Sequence, residues 1–386
     1  MNILLLNTWR VINSKGGTEK VFCNMANALT DRGHTVLALA CENKTGSPFF
    51  SLNSKVKFIN IGNLTSYEKV VREILTVFEF RKVDRVRKRI KLRAYFMQKK
   101  LSPVIKNFNP DVIISFTSDG TFWLKSNKFC LNCPVITMYH FNAEIILKND
   151  IYYESLEQSD CIQTLLNRDI KITKDIITPK KIVTIPNVVP QYVESAELKN
   201  KKIITVGRCE PKQKRTHILI EAFNLLKNKF PDWQVEIWGE TNVDSKYYDY
   251  CENLIRKYNL QNIKFCGTTN NVEGVCKTAS LFAFPSAYEG FGLALTEAMS
   301  MRLPAIGFKN CPAVNELIRD GKNGILCEDN VEDFARGLAE LMGNSEKRKQ
   351  YGTQAKEDMK QYAPEIIWNQ WEKLIDEVVD NYKIKK

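Results

Sequence analysis

The sequence predicts an α/β protein built from two doubly wound parallel sheets, each covered by helices. Three observations predict it. Short β-branched runs alternate with helical patterns along the whole chain, and the alternation starts afresh near residue 203. A polar stretch, Val189–Lys202, contains Pro190 and carries neither pattern, so it separates the two series as a linker.

In the first series, Ile3–Asn7, Thr35–Ala40, Lys57–Ile61, Val112–Phe116, Val135–Tyr139, Cys161–Leu165 and Ile182–Ile185 read as strands. The first helix is expected at Thr18–Asp31, with Val21, Phe22, Met25, Ala28 and Leu29 on one face. Thr18 is placed to cap its start, and Gly33 follows its end. In the second series, strands are expected at Ile203–Val206, Gln234–Trp238, Ile263–Cys266, Leu281–Phe284, Ala305–Gly307 and Ile325–Cys327. Helices such as His217–Asn228 and Lys246–Tyr258 fall between them. The tail, Pro364–Lys386, carries Ile366, Ile367, Trp371, Leu374, Ile375 and Val378 at helical spacing and reads as one amphipathic helix. The expected organisation is a first domain at 1–190, a second at 191–365, and a terminal helix at 366–386 that crosses back to the first.

Composition narrows the function classes. The chain has 386 residues, 44% hydrophobic and 26% charged, ample for two cores. Its longest apolar runs, such as Val112–Phe116 and Ser280–Phe284, are strand-sized, far short of the ~20 residues of a membrane span. Met1–Asn7 reads as a first strand, not a signal peptide. Eleven cysteines are scattered; their one close pair, Cys130-x-x-Cys133, has no second pair or His cluster beside it, so zinc is not expected. The cysteines read as small core residues of a cytosolic protein.

The net charge of +12 has a local origin. Residues 69–106 hold thirteen Lys or Arg against three acids, Glu73, Glu79 and Asp84. Val83, Val86, Ile90, Ala94, Met97 and Leu101 recur there at three- and four-residue steps, which makes an amphipathic basic helix. Such a helix suits an anionic membrane surface; the plain alternative is a surface helix that packs its stripe on the sheet. No RNA- or DNA-binding signature accompanies the charge, so nucleic acid is not expected as a partner.

Three loops carry chemistry. In Pro285-Ser-Ala-Tyr-Glu-Gly-Phe-Gly-Leu-Ala-Leu-Thr-Glu297, a strand gives way to a helix through Gly290 and Gly292. Glycines there let backbone N–H groups approach an anion, and the helix dipole favours a phosphate. Glu289 and Glu297 flank the turn; as carboxylates they suit neutral hydroxyls of a sugar and a ribose. A plain strand–turn–helix is the alternative reading. In Val206-Gly-Arg-Cys-Glu-Pro-Lys-Gln-Lys-Arg215, Arg208 and Lys214 follow a strand at the sheet edge where such folds bind ligands, and two cations can neutralise a diphosphate. Gly16-Gly17 forms a glycine turn between the first strand and helix.

Together these residues resemble glycosyltransferase family 4, retaining enzymes of the GT-B type, notably those that build bacterial surface polysaccharides such as lipopolysaccharide and capsule. Glu289 and Glu297 match the family's E-x7-E motif, and Gly207–Phe223 its G-R…K-G…L-I-x-A-F motif. Gly16-Gly17-Thr18-Glu19-Lys20 and Arg32-Gly33-His34-Thr35-Val36 are similar to its N-terminal pattern; Ile185-Pro-Asn-Val-Val189 is similar to its interdomain element. The chain departs at Arg215, where Gly is common, at Val188, also usually Gly, and by one extra residue between Arg208 and Lys214, which leaves Lys212 as an alternative to Lys214. Lys309–Glu316 resembles a C-P-x-x-x-E variant, whose Glu316 either caps the next helix or reaches the uracil side.

The resemblance implies two Rossmann-like domains facing each other across a cleft. It implies that Arg208 and Lys214 hold the donor diphosphate, that Glu297 binds the ribose and Glu289 the donor sugar, and that Gly16, Gly17, Gly290, Phe291, Gly292 and Leu293 also line the donor site. His140, after a first-domain strand, stands where the family often keeps a histidine near the reacting sugar; a structural role is the alternative. The expected donor is UDP-linked hexose or N-acetylhexosamine, the acceptor a lipid-linked saccharide or other glycan, and the location the cytoplasmic face of a cell membrane. No D-x-D is present, so neither metal nor other cofactor is expected. The competing readings are a GT-B epimerase or hydrolase, which consumes donor without acceptor, and a non-catalytic nucleic-acid or glycan-binding protein.

Overall fold

The computed structural model describes residues 1–126, 129 and 131–384. The chain forms two compact units, Met1–Pro186 with Trp368–Lys386, and Asn187–Ile367.

The first unit is a seven-stranded sheet. Its strands are β1 (Asn2–Asn7), β2 (Thr35–Ala40), β3 (Lys57–Asn60), β4 (Val112–Ser115), β5 (Val135–Met138), β6 (Cys161–Thr164) and β7 (Ile182–Thr184). Their order is β3-β2-β1-β4-β5-β6-β7, with every neighbour parallel. The second unit holds six: β8 (Lys202–Val206), β9 (Gln234–Trp238), β10 (Ile263–Gly267), β11 (Leu281–Ala283), β12 (Ala305–Phe308) and β13 (Gly324–Cys327). These run β10-β9-β8-β11-β12-β13, again parallel throughout. Central strands such as Ile3–Leu6 and Ile113–Ile114 are continuous apolar runs because helices cover both faces of a parallel sheet. Strand order reverses between β1 and β4 in one sheet and between β8 and β11 in the other. Loops leaving the carboxyl ends of those strands border the crevices where such folds bind ligands.

Helix α1 (Gly17–Asp31) buries Val21, Phe22, Met25 and Leu29. Its N-cap is Gly16, with no side-chain cap, so the expected cap Thr18 lies inside the first turn instead. The physical reason is next door: the Glu19 carboxylate folds back over Gly16, where a Cβ would meet Glu19 Oε2, and Ser14 Oγ donates to Glu19 Oε1 at 2.8 Å.

Helices α2 (Ser66–Thr76) and α3 (Lys82–Phe108) form an antiparallel pair. The register is fixed by ion pairs: Lys100 meets Glu68 at 3.0 Å, Arg89 meets Glu73, and Lys88 meets Glu79 at 2.7 Å. The stripe expected to run along α3 divides in two. Ala94, Met97 and Leu101 are buried in a core with Leu4, Leu37 and Trp123, whereas Val83 and Val86 are exposed.

The last helix spans Pro364–Ile384, and Pro at its start costs no hydrogen bond. Glu372 forms an ion pair with Arg32, 3.3 Å from its Nε, and faces His34 Nε2 at 3.4 Å. Arg32-Gly33-His34 therefore anchors this helix. Of the ten described cysteines nine are buried, as small core residues; Cys130 lies outside the described residues. Among the described residues no helix is long and apolar enough to cross a membrane.

Candidate active site

In the second unit, residues 75 positions apart converge at the β8/β11 switch point. Lys214 Nζ lies 2.5 Å from Glu289 Oε1 and 4.6 Å from the centre of the Phe284 ring. Both side chains are largely buried. The loop after β8 is shaped by Glu210, whose carboxylate accepts the backbone N–H of Lys212, Gln213 and Lys214. Gly207 lets the Lys214 stem cross it, since a Cβ there would sit 3.0 Å from Lys214 Cδ. Gly239, at φ +145°, admits the Gly207 carbonyl to a place a Cβ would occupy.

Gln213 ties the two loops together. Its amide donates to the Tyr288 carbonyl at 3.2 Å and to Glu289 Oε2 at 3.3 Å, and its own carbonyl accepts the Ala287 N–H at 2.8 Å. Arg208 is exposed near Tyr288, whose hydroxyl is pushed up by burial and by the charges of Glu210 and Glu289, with the Arg208 charge opposing them. Lys212 is exposed, so of the two aligned lysines Lys214 is the one within the cluster.

Arg215, where glycine is common, adopts φ +47°, a left-handed conformation that glycine takes without strain. Here its side chain is held in place: Nε donates to the Pro285 carbonyl at 3.0 Å, Nη1 pairs with Asp329 at 2.8 Å, and the guanidinium covers Phe308.

The helix Leu293–Ser300 starts from Gly292, at φ +82°. Its first amides have no partner within the helix, which suits them to an anion. Phe291 is buried edge-on against Tyr362, centroids 5.4 Å apart, and Gly290 and Leu293 are half-buried. Glu297 is buried in that helix; its charge, after burial, pushes the Tyr192 hydroxyl and the Cys276 thiol up.

In the first unit, His140 follows β5 and stacks on Phe116 at the end of β4, centroids 5.0 Å apart and 19° between planes. Burial holds its imidazole down to about 3 from an ordinary 6.5, so it is neutral. Its Nε2 has no hydrogen-bond partner among the described residues. The turn after His140 is fixed by Asp169, which accepts the Ala143 N–H at 3.0 Å, and by Asn142, which caps the next turn. Gly16 and Gly17 sit at the start of α1, and Glu42 steadies the loop before them by accepting the N–H groups of Val11 and Ile12.

Glu210, Gln213, Glu42 and Asp169 escaped the sequence reading. They bind backbone or their neighbours' side chains, and no spacing advertises that. Glu210 alone left a trace, as an acid two residues ahead of Lys212 in an otherwise basic loop. Among the described residues no cluster of three or more His, Cys, Asp or Glu is placed to hold a metal ion.

Two parallel Rossmann-like sheets, each with its own switch point, make this a GT-B fold. The family comparisons agree: the Glycosyltransferase Family 4 model matches residues 15–191 and the model for glycosyl transferases group 1 matches 192–358. The chain belongs to this glycosyltransferase family. It is 26% identical over 375 residues to an uncharacterized glycosyltransferase of Haemophilus influenzae, covering 94% of this chain and 97% of that one. An uncharacterized glycosyltransferase of Methanocaldococcus jannaschii is 30% identical over 253 residues, 64% of this chain and 67% of its own. A Campylobacter jejuni enzyme described as an α-1,4-N-acetyl-D-galactosaminyltransferase acting on a diphospho-undecaprenol-linked saccharide is 23% identical, covering 95% and 96%. Among solved structures, Staphylococcus aureus TarM in complex with UDP superposes with a TM-score of 0.75 at 17% identity, covering 97% of this chain and 99% of that one.

Proposed function

We propose that the protein transfers a hexose or N-acetylhexosamine from a UDP-linked donor, with retention at the anomeric carbon, to a lipid-linked saccharide at the inner face of a membrane during surface polysaccharide assembly. The observation that carries this reading is the Lys214–Glu289 pair, brought together at the second switch point with Arg208 exposed beside it. Arg208 and Lys214 bind the diphosphate, while Glu289 receives a sugar hydroxyl and Glu297 the ribose. The sugar C1–oxygen bond to phosphate loosens, and the acceptor hydroxyl attacks C1 from the same face. Its proton passes to the departing phosphate oxygen, whose charge the two cations stabilise. The relatives' names support a lipid-linked acceptor.

The test measures free nucleotide from a panel of UDP- and GDP-sugars, with and without lipid-linked acceptor in detergent, and reads the product anomer by NMR. Acceptor-dependent UDP release and a retained anomer are expected, unaffected by excess EDTA. Release without acceptor would instead indicate an epimerase or hydrolase, and a magnesium-reversible loss in EDTA would overturn the metal-free mechanism.

A further inference from the structure

The α2–α3 hairpin ends in an apolar tip that none of the described residues covers. Ile74, Leu75, Val77, Phe78, Phe80, Val83 and Val86 are all exposed, Phe78 by 77% and Phe80 by 97%. Single exposed apolar residues are ordinary on a protein surface, but seven within thirteen positions mark a contact surface. Their position follows from the ion pairs. Glu68 with Lys100, then Glu73 with Arg89, then Glu79 with Lys88 step along an antiparallel pair toward its closed end, which places residues 77–82 at the turn.

Charge identifies the occupant. Residues 72–91 hold eight Lys or Arg against three acids. Several of these are committed: Arg72 and Arg89 share Glu73, Lys88 pairs with Glu79, and Arg87 pairs with Asp150 at 2.5 Å. Arg81, Lys82 and Lys91 are exposed and form no ion pair among the described residues. An aromatic and aliphatic tip collared by uncommitted cations complements a bilayer with anionic headgroups: phenyl rings enter the acyl boundary while the cations meet phosphate. A protein partner would need a defined complementary shape, whereas a bilayer takes any projecting apolar tip.

We infer that the tip of this hairpin, led by Phe78 and Phe80, inserts into an anionic membrane and anchors the enzyme by burial as well as by charge. This rests on the membrane-bound acceptor proposed above and deepens it. Arg85, Lys88 and Arg89 serve mainly to hold the hairpin together, through Glu79 and Glu73, and Arg87 ties it to Asp150 elsewhere in the first unit. The electrostatic collar is Arg81, Lys82 and Lys91.

The experiment uses the full-length protein and vesicles of phosphatidylcholine with or without phosphatidylglycerol. Wild type should float with the anionic vesicles and keep part of its binding in about 1 M NaCl, where the Debye length is about 3 Å and exposed charges no longer attract. Phe78→Ser with Phe80→Ser should weaken binding about tenfold per phenylalanine, with the melting temperature unchanged because both rings are exposed. Phe80→Trp should shift its added emission to the blue when anionic vesicles are supplied. Flotation of the double variant at wild-type level, with an unmoved Phe80→Trp spectrum, would place the membrane contact elsewhere and overturn the inference while leaving the lipid-linked acceptor standing. Absence of wild-type flotation would overturn it too; transfer to the lipid-linked acceptor in detergent then tells whether the underlying reading survives. A wild type that dimerises in sedimentation, with a monomeric double variant and no vesicle binding, would make the tip an interface between copies.

Discussion

At the scale of single residues, Lys214 is the most exposed to test. Lys214→Ala removes a cation from the proposed leaving group, worth ~3 kcal/mol or a factor of 10² to 10³ in turnover. It also leaves Glu289 largely buried with no cation on it, so the melting temperature should fall. Lys212→Ala, on an exposed side chain, should keep near wild-type kcat and stability. The reverse pattern in steady-state kinetics would move the diphosphate contact to Lys212. His140 gives a pH prediction. Its folded value of about 3 lies below the ordinary 6.5, so the unfolded chain takes up a proton that the folded one refuses. Its stabilising contribution is intact above 6.5 and fades as pH falls toward 3. Urea unfolding of His140→Gln should therefore lose less stability between pH 7 and pH 4 than wild type does. Parallel losses would mean that burial does not hold this imidazole neutral.

At the scale of elements, α3 is one helix with two environments. Leu101 is packed in the core of the first sheet and Val83 is 64% exposed. Leu101→Ala should cost ~2–5 kcal/mol by leaving a cavity, while Val83→Ser should stay within ~0.5 kcal/mol, the range of ordinary surface changes. Chemical denaturation of the two variants checks this, and equal effects would contradict the division of the stripe. Both positions obey the same helical period, so periodicity could not separate them. What separates them is reach: the sheet and Trp123 lie under the second half of the helix, and beyond that the hairpin continues beside α2 and the Asp150 ion pair of Arg87.

At the scale of the molecule, the terminal helix belongs with residues at the other end of the sequence. Trp371 and Ile375 are buried, and Glu372 meets Arg32 and His34 more than 330 positions away. Trp371→Ala should lower stability by ~3–5 kcal/mol, measured as a drop in melting temperature of the first unit. A wild-type melting curve would show that this helix is dispensable to its core. The first unit's core therefore depends on a helix that follows the whole second unit in the chain.

The element order is readable from the chain alone, because most buried strands are near-continuous apolar runs and the amphipathic helices keep a 3.6-residue stripe. Thirteen strands were legible within a residue or so, such as Thr35–Ala40 and Gln234–Trp238. The candidate residues were legible too, since glycine at a turn and cations after a strand follow from local backbone chemistry. It took the packed chain to show that Lys214 rests on Glu289, that Gln213 ties its loop to Tyr288 and Glu289, that Arg32 and His34 serve the terminal helix, and that half of α3 faces outward. The physical reason is common to all four. Local pattern reports which side of an element is apolar, whereas a contact between residues tens or hundreds of positions apart depends on strand order, and strand order is set by how the whole chain packs.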